Sequence, residues 1–277
     1  MKFGRRTLVV LLALAAYLAI VGCAPVLDQF VLFPSTYGIR AGPAVRKAIP
    51  FEGGELEVWT AQSTAARERG RPEMYLLRFY GNADRAERWA AEEADMFGDR
   101  ALEVWGMNYP GYGGSTGPAR LARIAPAAAT AFDQAKRQAG ERPIFVFGAS
   151  LGSTAALHLS ATRPIAGLIL HNPPALRQMI LGQFGWWNLW LLAGPLSRKV
   201  PAELDSIANA KASRARAVFL LAAADEVVAP RFQRLVADAY AGEKRVIQLR
   251  GATHNSPLEA EGLQQFQDAL DWLMPAE

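Results

Sequence analysis

Cysteine is almost missing from this chain, with one residue, Cys23, among 277. An internal disulfide is thereby excluded, and stability has to come from packing. Histidine is scarce as well: His158, His171 and His254 complete the set, so any search for a general base is short. Excess charge of one sign is also lacking. The formal net charge is +4, and Lys2, Arg5 and Arg6 supply most of it ahead of the first acidic residue, Asp28. The remainder is close to neutral, which gives no basis for a nucleic-acid partner. No apolar run reaches the roughly 20 residues that a membrane-spanning helix needs. Internal repeats are absent, and low complexity is confined to alanine-rich helical stretches.

What is present begins with a leader. Lys2, Arg5 and Arg6 precede the apolar run Leu8–Val21, the layout of a secretory signal peptide over residues 1–22. Ile20-Val21-Gly22-Cys23 resembles the lipobox of bacterial lipoproteins. That resemblance implies cleavage before Cys23 and its lipidation, with several acyl chains giving a stable anchor. An uncleaved signal-anchor helix is the alternative. The twin arginine Arg5-Arg6 is followed by a very apolar run, which favours ordinary secretion. Ala24 stands where an aspartate often retains lipoproteins at the inner membrane. The expected location is therefore a bacterial cell envelope, at the outer membrane in a Gram-negative host. Residues 23–43 read as a tether laid on the body, and 44–277 as one domain with a sizeable core.

Within that domain, Val45–Phe51 and Glu55–Thr60 flank Gly53-Gly54 and read as a hairpin. Arg67–Pro72 reads as a charged loop. Apolar strands then alternate with helices. The strands are expected at Met74–Tyr80, Leu102–Met107, Pro143–Phe147, Ile165–Leu170, Ala217–Ala222 and Arg245–Leu249. The helices are expected at Asp84–Phe97 (Trp89 and Phe97 on its buried face), Ala119–Ala139, Ser153 onward, Pro230–Ala241 and Leu263–Leu273. This alternation predicts an α/β fold, a mainly parallel central sheet with helices on both faces and antiparallel strands at one edge. Asn172–Arg214 interrupts it and reads as a small helical cap, which would lie over the carboxyl ends of the strands.

Gly148-Ala149-Ser150-Leu151-Gly152 stands between the apolar run Pro143–Phe147 and helix-forming residues. Strand, sharp turn with a serine, then helix is the layout of a nucleophile elbow. Glycines two positions either side leave room for the tight turn, and the new helix points free N–H groups at a developing oxyanion. A Gly-x-Ser-x-Gly pattern alone is weak, since a glycine-serine loop gives the same letters; its strand-helix context carries the reading. Ser150 is then the nucleophile of an acyl transfer and needs a base and an orienting carboxylate. His254 lies in a polar loop after the last strand. His158 is eight residues past Ser150 on one helix, about 12 Å away. His171 precedes every plausible carboxylate and is expected at the pocket. The order Ser…Asp…His selects His254 as base. Asp225, at the end of strand Ala217–Ala222, is the orienting acid, with Glu226 pointing away and Asp205 a capping or solvated residue. The oxyanion donors are expected to be the backbone N–H groups of Leu151 and Asn82. Nothing in the sequence implies a cofactor or a metal.

Together these pieces resemble the α/β-hydrolases, within them the BEM46-like and ABHD12/13/17-type serine hydrolases, from about residue 28 onward. The most specific stretches are Asn108–Gly117, Gly148–Gly152, Asp225–Pro230 and Gly251–His254. The resemblance implies that Asn108–Gly117 walls the nucleophile; its glycine spacing does not make a phosphate cradle. Where the family usually shows His-Gly-Asn, this chain has Tyr80-Gly81-Asn82, so the support of that loop must differ. Tyr80, Tyr109, His171, Trp186 and Trp187 are the candidate pocket residues. The tryptophan-rich block is either a packed cap or a lipid-contacting lid.

The expected substrate is a small acyl ester or thioester, cleaved at a membrane surface. Two alternatives stand beside it. One is a serine peptidase of the same fold, for which no acidic cluster to hold a free amino terminus is evident. The other is a catalytically silent envelope lipoprotein that binds or scaffolds.

Overall fold

The computed structural model describes residues 4–22, 24–185 and 191–275. Cys23, Trp186 and Trp187 lie outside the described residues, so the lipidation site and two of the candidate pocket residues do too. Helix α1 (Arg5–Gly22) is the apolar leader, and α2 (Ala24–Val31) follows it. No helix among the described residues is long and apolar enough to cross a membrane.

Eight strands form one sheet: β1 (Val45–Phe51), β2 (Gly54–Gln62), β3 (Met74–Phe79), β4 (Leu102–Met107), β5 (Ile144–Ala149), β6 (Gly167–His171), β7 (Ala217–Ala222) and β8 (Lys244–Leu249). Their order is β1-β2-β4-β3-β5-β6-β7-β8. The β1–β2 hairpin joins β4 antiparallel, and every other pairing is parallel. The antiparallel edge and the parallel body are as the sequence pattern predicts.

Side-chain alternation sends each strand's residues to two separate cores. Leu77, Phe79, Val146, Leu170 and Phe219 pack with α5 (Leu121–Ala139), α6 (Leu151–Thr162) and α10 (Pro230–Ala239). Leu76, Phe147, Ile169, Val218 and Leu220 pack with α4 (Ala86–Asp95) and α11 (Ala260–Leu273) on the other face. Strands β3 and β5 are neighbours, but the chain visits β4 between them. The order of the sheet therefore reverses at β3/β5, the crevice where open α/β sheets bind ligands.

The interrupting block divides in two. Helices α7 (Leu176–Phe184) and α8 (Ala193–Arg198) pack on each other, while α9 (Ser206–Ala212) packs against α6 and α10 as a sheet-flanking helix. Asp205 caps α9, accepting the Ala208 N–H at 3.0 Å. A further short helix, α3 (Thr64–Glu68), opens the stretch expected to be a loop.

The tether is bound to the body. Leu27 and Leu32 are buried, and the Asp28 carboxylate accepts the Leu121 N–H that starts α5, at 2.9 Å. Arg85 donates to the carbonyls of Ser35 and Tyr37, and Ser35 also accepts the Gly113 N–H at 2.9 Å.

Candidate active site

Ser150 sits between β5 and α6 with φ 48° and ψ −122°, a backbone conformation strained for a residue with a Cβ. Its own N–H is bonded to the His171 carbonyl at 2.8 Å, tying the turn to the end of β6. The two glycines are needed for close approach. A Cβ on Gly148 would fall 2.5 Å from the Gly152 carbonyl oxygen, and one on Gly152 would fall 2.2 Å from that of Phe79.

Three residues far apart in sequence meet here. His254 Nε2 is 3.1 Å from Ser150 Oγ, and His254 Nδ1 is 2.7 Å from Asp225 Oδ2. With Nδ1 protonated and donating to the carboxylate, Nε2 is left as the acceptor for the serine hydroxyl. Asp225 is buried, and its other oxygen accepts the N–H groups of Val227 and Val228, each at 2.8 Å. Glu226 is exposed, and no His158–Ser150 contact occurs among the described residues.

Two supports escaped the sequence reading. Gln233, buried on α10, donates from Nε2 to Asp225 Oδ2 at 3.0 Å and to the Val228 carbonyl at 2.7 Å. The available signal was a glutamine on the apolar face of an amphipathic helix, eight residues past the aspartate. Asn172 follows β6 with φ 49°. Its Nδ2 donates to the His254 carbonyl at 3.2 Å, and its Oδ1 accepts the Ala222 N–H at 2.9 Å. One side chain thus joins the histidine loop to the end of β7. An asparagine at the end of a strand, a residue that tolerates left-handed backbone, was the available signal.

The loop after β3 faces Ser150 across a narrow gap, with an ideal Gly81 Cβ 3.6 Å from the Ser150 Cβ. No hydrogen bond among the described residues uses the Asn82 or Leu151 N–H, so both remain available as donors. The Asn82 side chain is fully engaged. Its Oδ1 accepts from the Phe33 N–H at 2.9 Å and the Tyr112 hydroxyl at 2.8 Å, and its Nδ2 donates to the Val31 carbonyl.

Tyr80 and Tyr109, expected at the pocket, are instead behind its wall. Both are buried, because each hydroxyl is spent on holding the loop. Tyr80 donates to Glu93 and Tyr109 donates to the Tyr80 carbonyl, each at 2.8 Å. Burial, then the Glu93 charge, pushes the Tyr80 phenol well up, so it stays a neutral donor. Trp89, expected on the buried face of α4, is 37% exposed because its indole N–H turns outward to Asp84 at 2.7 Å. The Asn108–Gly117 loop braces the oxyanion loop from outside. Its Asn108 side-chain amide oxygen accepts the first N–H of α4, that of Ala86, at 2.8 Å.

Ser150, His254 and the loop residues Gly81 and Asn82 line a cavity of about 610 Å³, shared with Arg78, Trp89, His171 and Phe33. His171 does reach the cavity. Its imidazole is pushed down to about 4, by burial first and then by the Arg78 and His254 charges, so it is neutral at pH 7. Among the described residues no cluster of His, Cys, Asp or Glu is arranged to hold a metal ion.

The sequence model for the alpha/beta hydrolase fold matches residues 76–273. No curated protein matches the chain. Several solved structures do. An esterase from Pyrococcus furiosus is 14% identical, with TM-score 0.62, 88% of this chain and 97% of that one covered. Est1E from Butyrivibrio proteoclasticus, solved with ferulic acid bound, is 15% identical, with TM-score 0.64 and coverage of 82% and 97%. A monoacylglycerol lipase from Paleococcus ferrophilus is 20% identical, with TM-score 0.57 and coverage of 78% and 98%.

Proposed function

The chain belongs to the alpha/beta hydrolase family, and from that premise we propose a serine hydrolase that cleaves carboxylic esters or thioesters through an acyl-enzyme. One observation carries the reading: the unbroken relay from Ser150 Oγ to His254 at 3.1 Å and on to Asp225 at 2.7 Å, opening onto a cavity. That structural neighbours include esterases and a lipase supports the choice of ester chemistry.

In the first half-reaction, His254 Nε2 takes the proton of Ser150 as Oγ attacks the acyl carbon. The imidazolium that forms is stabilised by Asp225, which keeps its own charge. The carbonyl oxygen becomes an oxyanion, received by the N–H groups of Leu151 and Asn82. His254 then returns the proton to the leaving alkoxide or thiolate. A water attacks the acyl-enzyme by the same exchange, releasing the acid and restoring Ser150.

Within the family, the Asn108–Gly117 and Asp225–Pro230 stretches support a kinship with the BEM46-like and ABHD12/13/17-type group. The leader and Cys23 support a lipid-anchored envelope enzyme working beside a bilayer on a small acyl ester or thioester, with no nucleic-acid partner.

The test is labelling by a fluorophosphonate probe. Wild-type protein is expected to label and to hydrolyse p-nitrophenyl esters, while Ser150→Ala does neither. Absence of labelling in folded wild type overturns the reading.

A further inference from the structure

Strand β3 reads Met-Tyr-Leu-Leu-Arg-Phe, and the charge in it is out of place. Arg78 is only 6% exposed, at the sheet end where Ser150 sits. Burying a guanidinium is costly unless its donors are met. Most are. Nε donates to both oxygens of Glu93, at 2.9 and 3.1 Å, and Nη1 donates to the Phe79 carbonyl at 2.8 Å. The plane lies over Phe147 at 3.9 Å and Tyr80 at 4.5 Å. Nη2 takes part in no hydrogen bond among the described residues, and Arg78 lines the cavity that holds Ser150.

A second hollow of about 250 Å³ adjoins that cavity and shares Arg78, Asp84, Trp89, His171 and Ser256 with it; Phe147 and Leu220 form its apolar side. The acidic groups here are already engaged. Glu93 is held by Arg78 and by the Tyr80 hydroxyl. Asp84 accepts from the Arg85 N–H and the Trp89 indole, with Arg88 3.6 Å away. What the hollow offers a ligand is therefore a fixed cationic donor, Nη2, beside a neutral imidazole, His171. A guanidinium locked by Glu93 and two aromatic rings loses little freedom when an acceptor arrives, and planar donors of this kind suit carboxylates.

We propose that Arg78 and His171 form a subsite for a carboxylate that the substrate carries at a distance from its scissile ester. The proposal rests on the serine-hydrolase reading of the same cavity and names its substrate class: acyl esters with a free acid group at one end. Hydrolysis is unchanged by it; the carboxylate is bound and released intact.

The test uses the whole protein and matched ester pairs. One pair places the charge on the acyl side, mono-p-nitrophenyl adipate against p-nitrophenyl hexanoate. The other places it on the alcohol side, O-acetyl-4-hydroxybutyrate against its methyl ester. In at least one pair kcat/KM is expected to favour the charged ester about 10-fold to 100-fold, the range of a hydrogen bond to a charged group. Arg78→Gln should bring that ratio close to one, and Arg78→Lys should keep part of it. Since either variant could misfold with Glu93 left buried, wild type is also assayed with free adipate and with hexane-1,6-diol as inhibitors; only adipate should compete. No preference in either pair, together with no inhibition by adipate, overturns the subsite. Fluorophosphonate labelling of wild type separates the failures: labelling with neither preference nor inhibition by adipate sinks the subsite alone, whereas no labelling sinks the hydrolase reading beneath it.

Discussion

The side-chain carbonyl of Asn82 accepts the backbone N–H of Phe33 at 2.9 Å, across 49 residues of sequence. With the Nδ2 bond to Val31 and the Tyr112 hydroxyl on the same oxygen, the loop beside Ser150 is fixed by the tether and by the Asn108–Gly117 loop. This answers what replaces the usual histidine in Tyr80-Gly81-Asn82. The loop is propped by Tyr109 on the Tyr80 carbonyl and by the tether on Asn82.

Asn82→Ala keeps the backbone donor and removes its props. We expect kcat to fall about 10-fold to 100-fold, with KM changed much less, since a displaced oxyanion donor acts on the transition state. Asn82→Asp keeps the acceptor for Phe33 and Tyr112 and should lose less. Steady-state kinetics on a p-nitrophenyl ester decides it; equal kcat in wild type and Asn82→Ala would remove the tether from any part in positioning.

The elbow glycines give a contrast of stability. A Cβ at Gly148 or Gly152 meets backbone at 2.5 or 2.2 Å, while one at Gly81 meets the Ser150 Cβ at 3.6 Å, an ordinary contact. Gly148→Ala and Gly152→Ala should each cost about 2–4 kcal/mol, and Gly81→Ala less than about 1 kcal/mol. Urea unfolding measures all three. Comparable losses at the three positions would contradict the steric account.

Gln233 and Asn172 hold the acid and the histidine loop without lying in the relay. Gln233→Leu removes one donor from Asp225 Oδ2 and is expected to lower kcat about 3-fold to 10-fold at nearly constant KM. Asn172→Gly tolerates the positive φ but frees the His254 carbonyl, whereas Asn172→Ala adds backbone strain of about 1 kcal/mol. Slower fluorophosphonate labelling in both Asn172 variants, with lower stability in Asn172→Ala alone, is the expected pattern. Unchanged labelling would reduce Asn172 to a purely structural contact.

How far the sequence carried can be judged from these same residues. The strand span Ala217–Ala222 is legible to the residue because a buried parallel strand is a continuous apolar run with sharp ends, and Leu102–Met107 is legible although Glu103 interrupts it. Ser150, Asp225 and His254 were legible because each sits at a strand end in a fixed order. Their supports were not. Gln233 and Asn172 act through contacts across 8 and 82 residues, which no local period encodes. Tyr80 and Tyr109 were placed in the pocket because aromatic residues near a nucleophile look like lining, but hydroxyls with nearby acceptors turned both inward. Asn172–Arg214 read as one cap because α7 and α8 stand between β6 and α9, so the helix that leads back into β7 is hidden at the end of one long helical block.

Acid should unfold the protein in two stages. His171 has its folded value lowered to about 4 from 6.5, so its contribution is fully present above pH 6.5 and is lost as pH falls toward 4. Glu57 is next. Burial alone would raise its carboxyl, but the Gly114 N–H, Arg46 and Asn108 together hold it below its ordinary 4.5. Its contribution is present above pH 4.5 and is lost only as pH falls through that lower folded value. The imidazole opens onto the cavity, so its share is on the order of 1–3 kcal/mol. Urea midpoints at pH 7.5, 5.5 and 4.0 are expected to decline across both intervals in wild type. His171→Gln should abolish the decline between 7.5 and 5.5 and reduce the one between 5.5 and 4.0, whereas Glu57→Gln should leave the first unchanged and weaken only the loss below pH 4.5. A wild-type midpoint that is flat from 7.5 to 5.5 would show that His171 is as free to take a proton in the folded chain as in the unfolded one, and the neutral imidazole beside Arg78 would have to be given up.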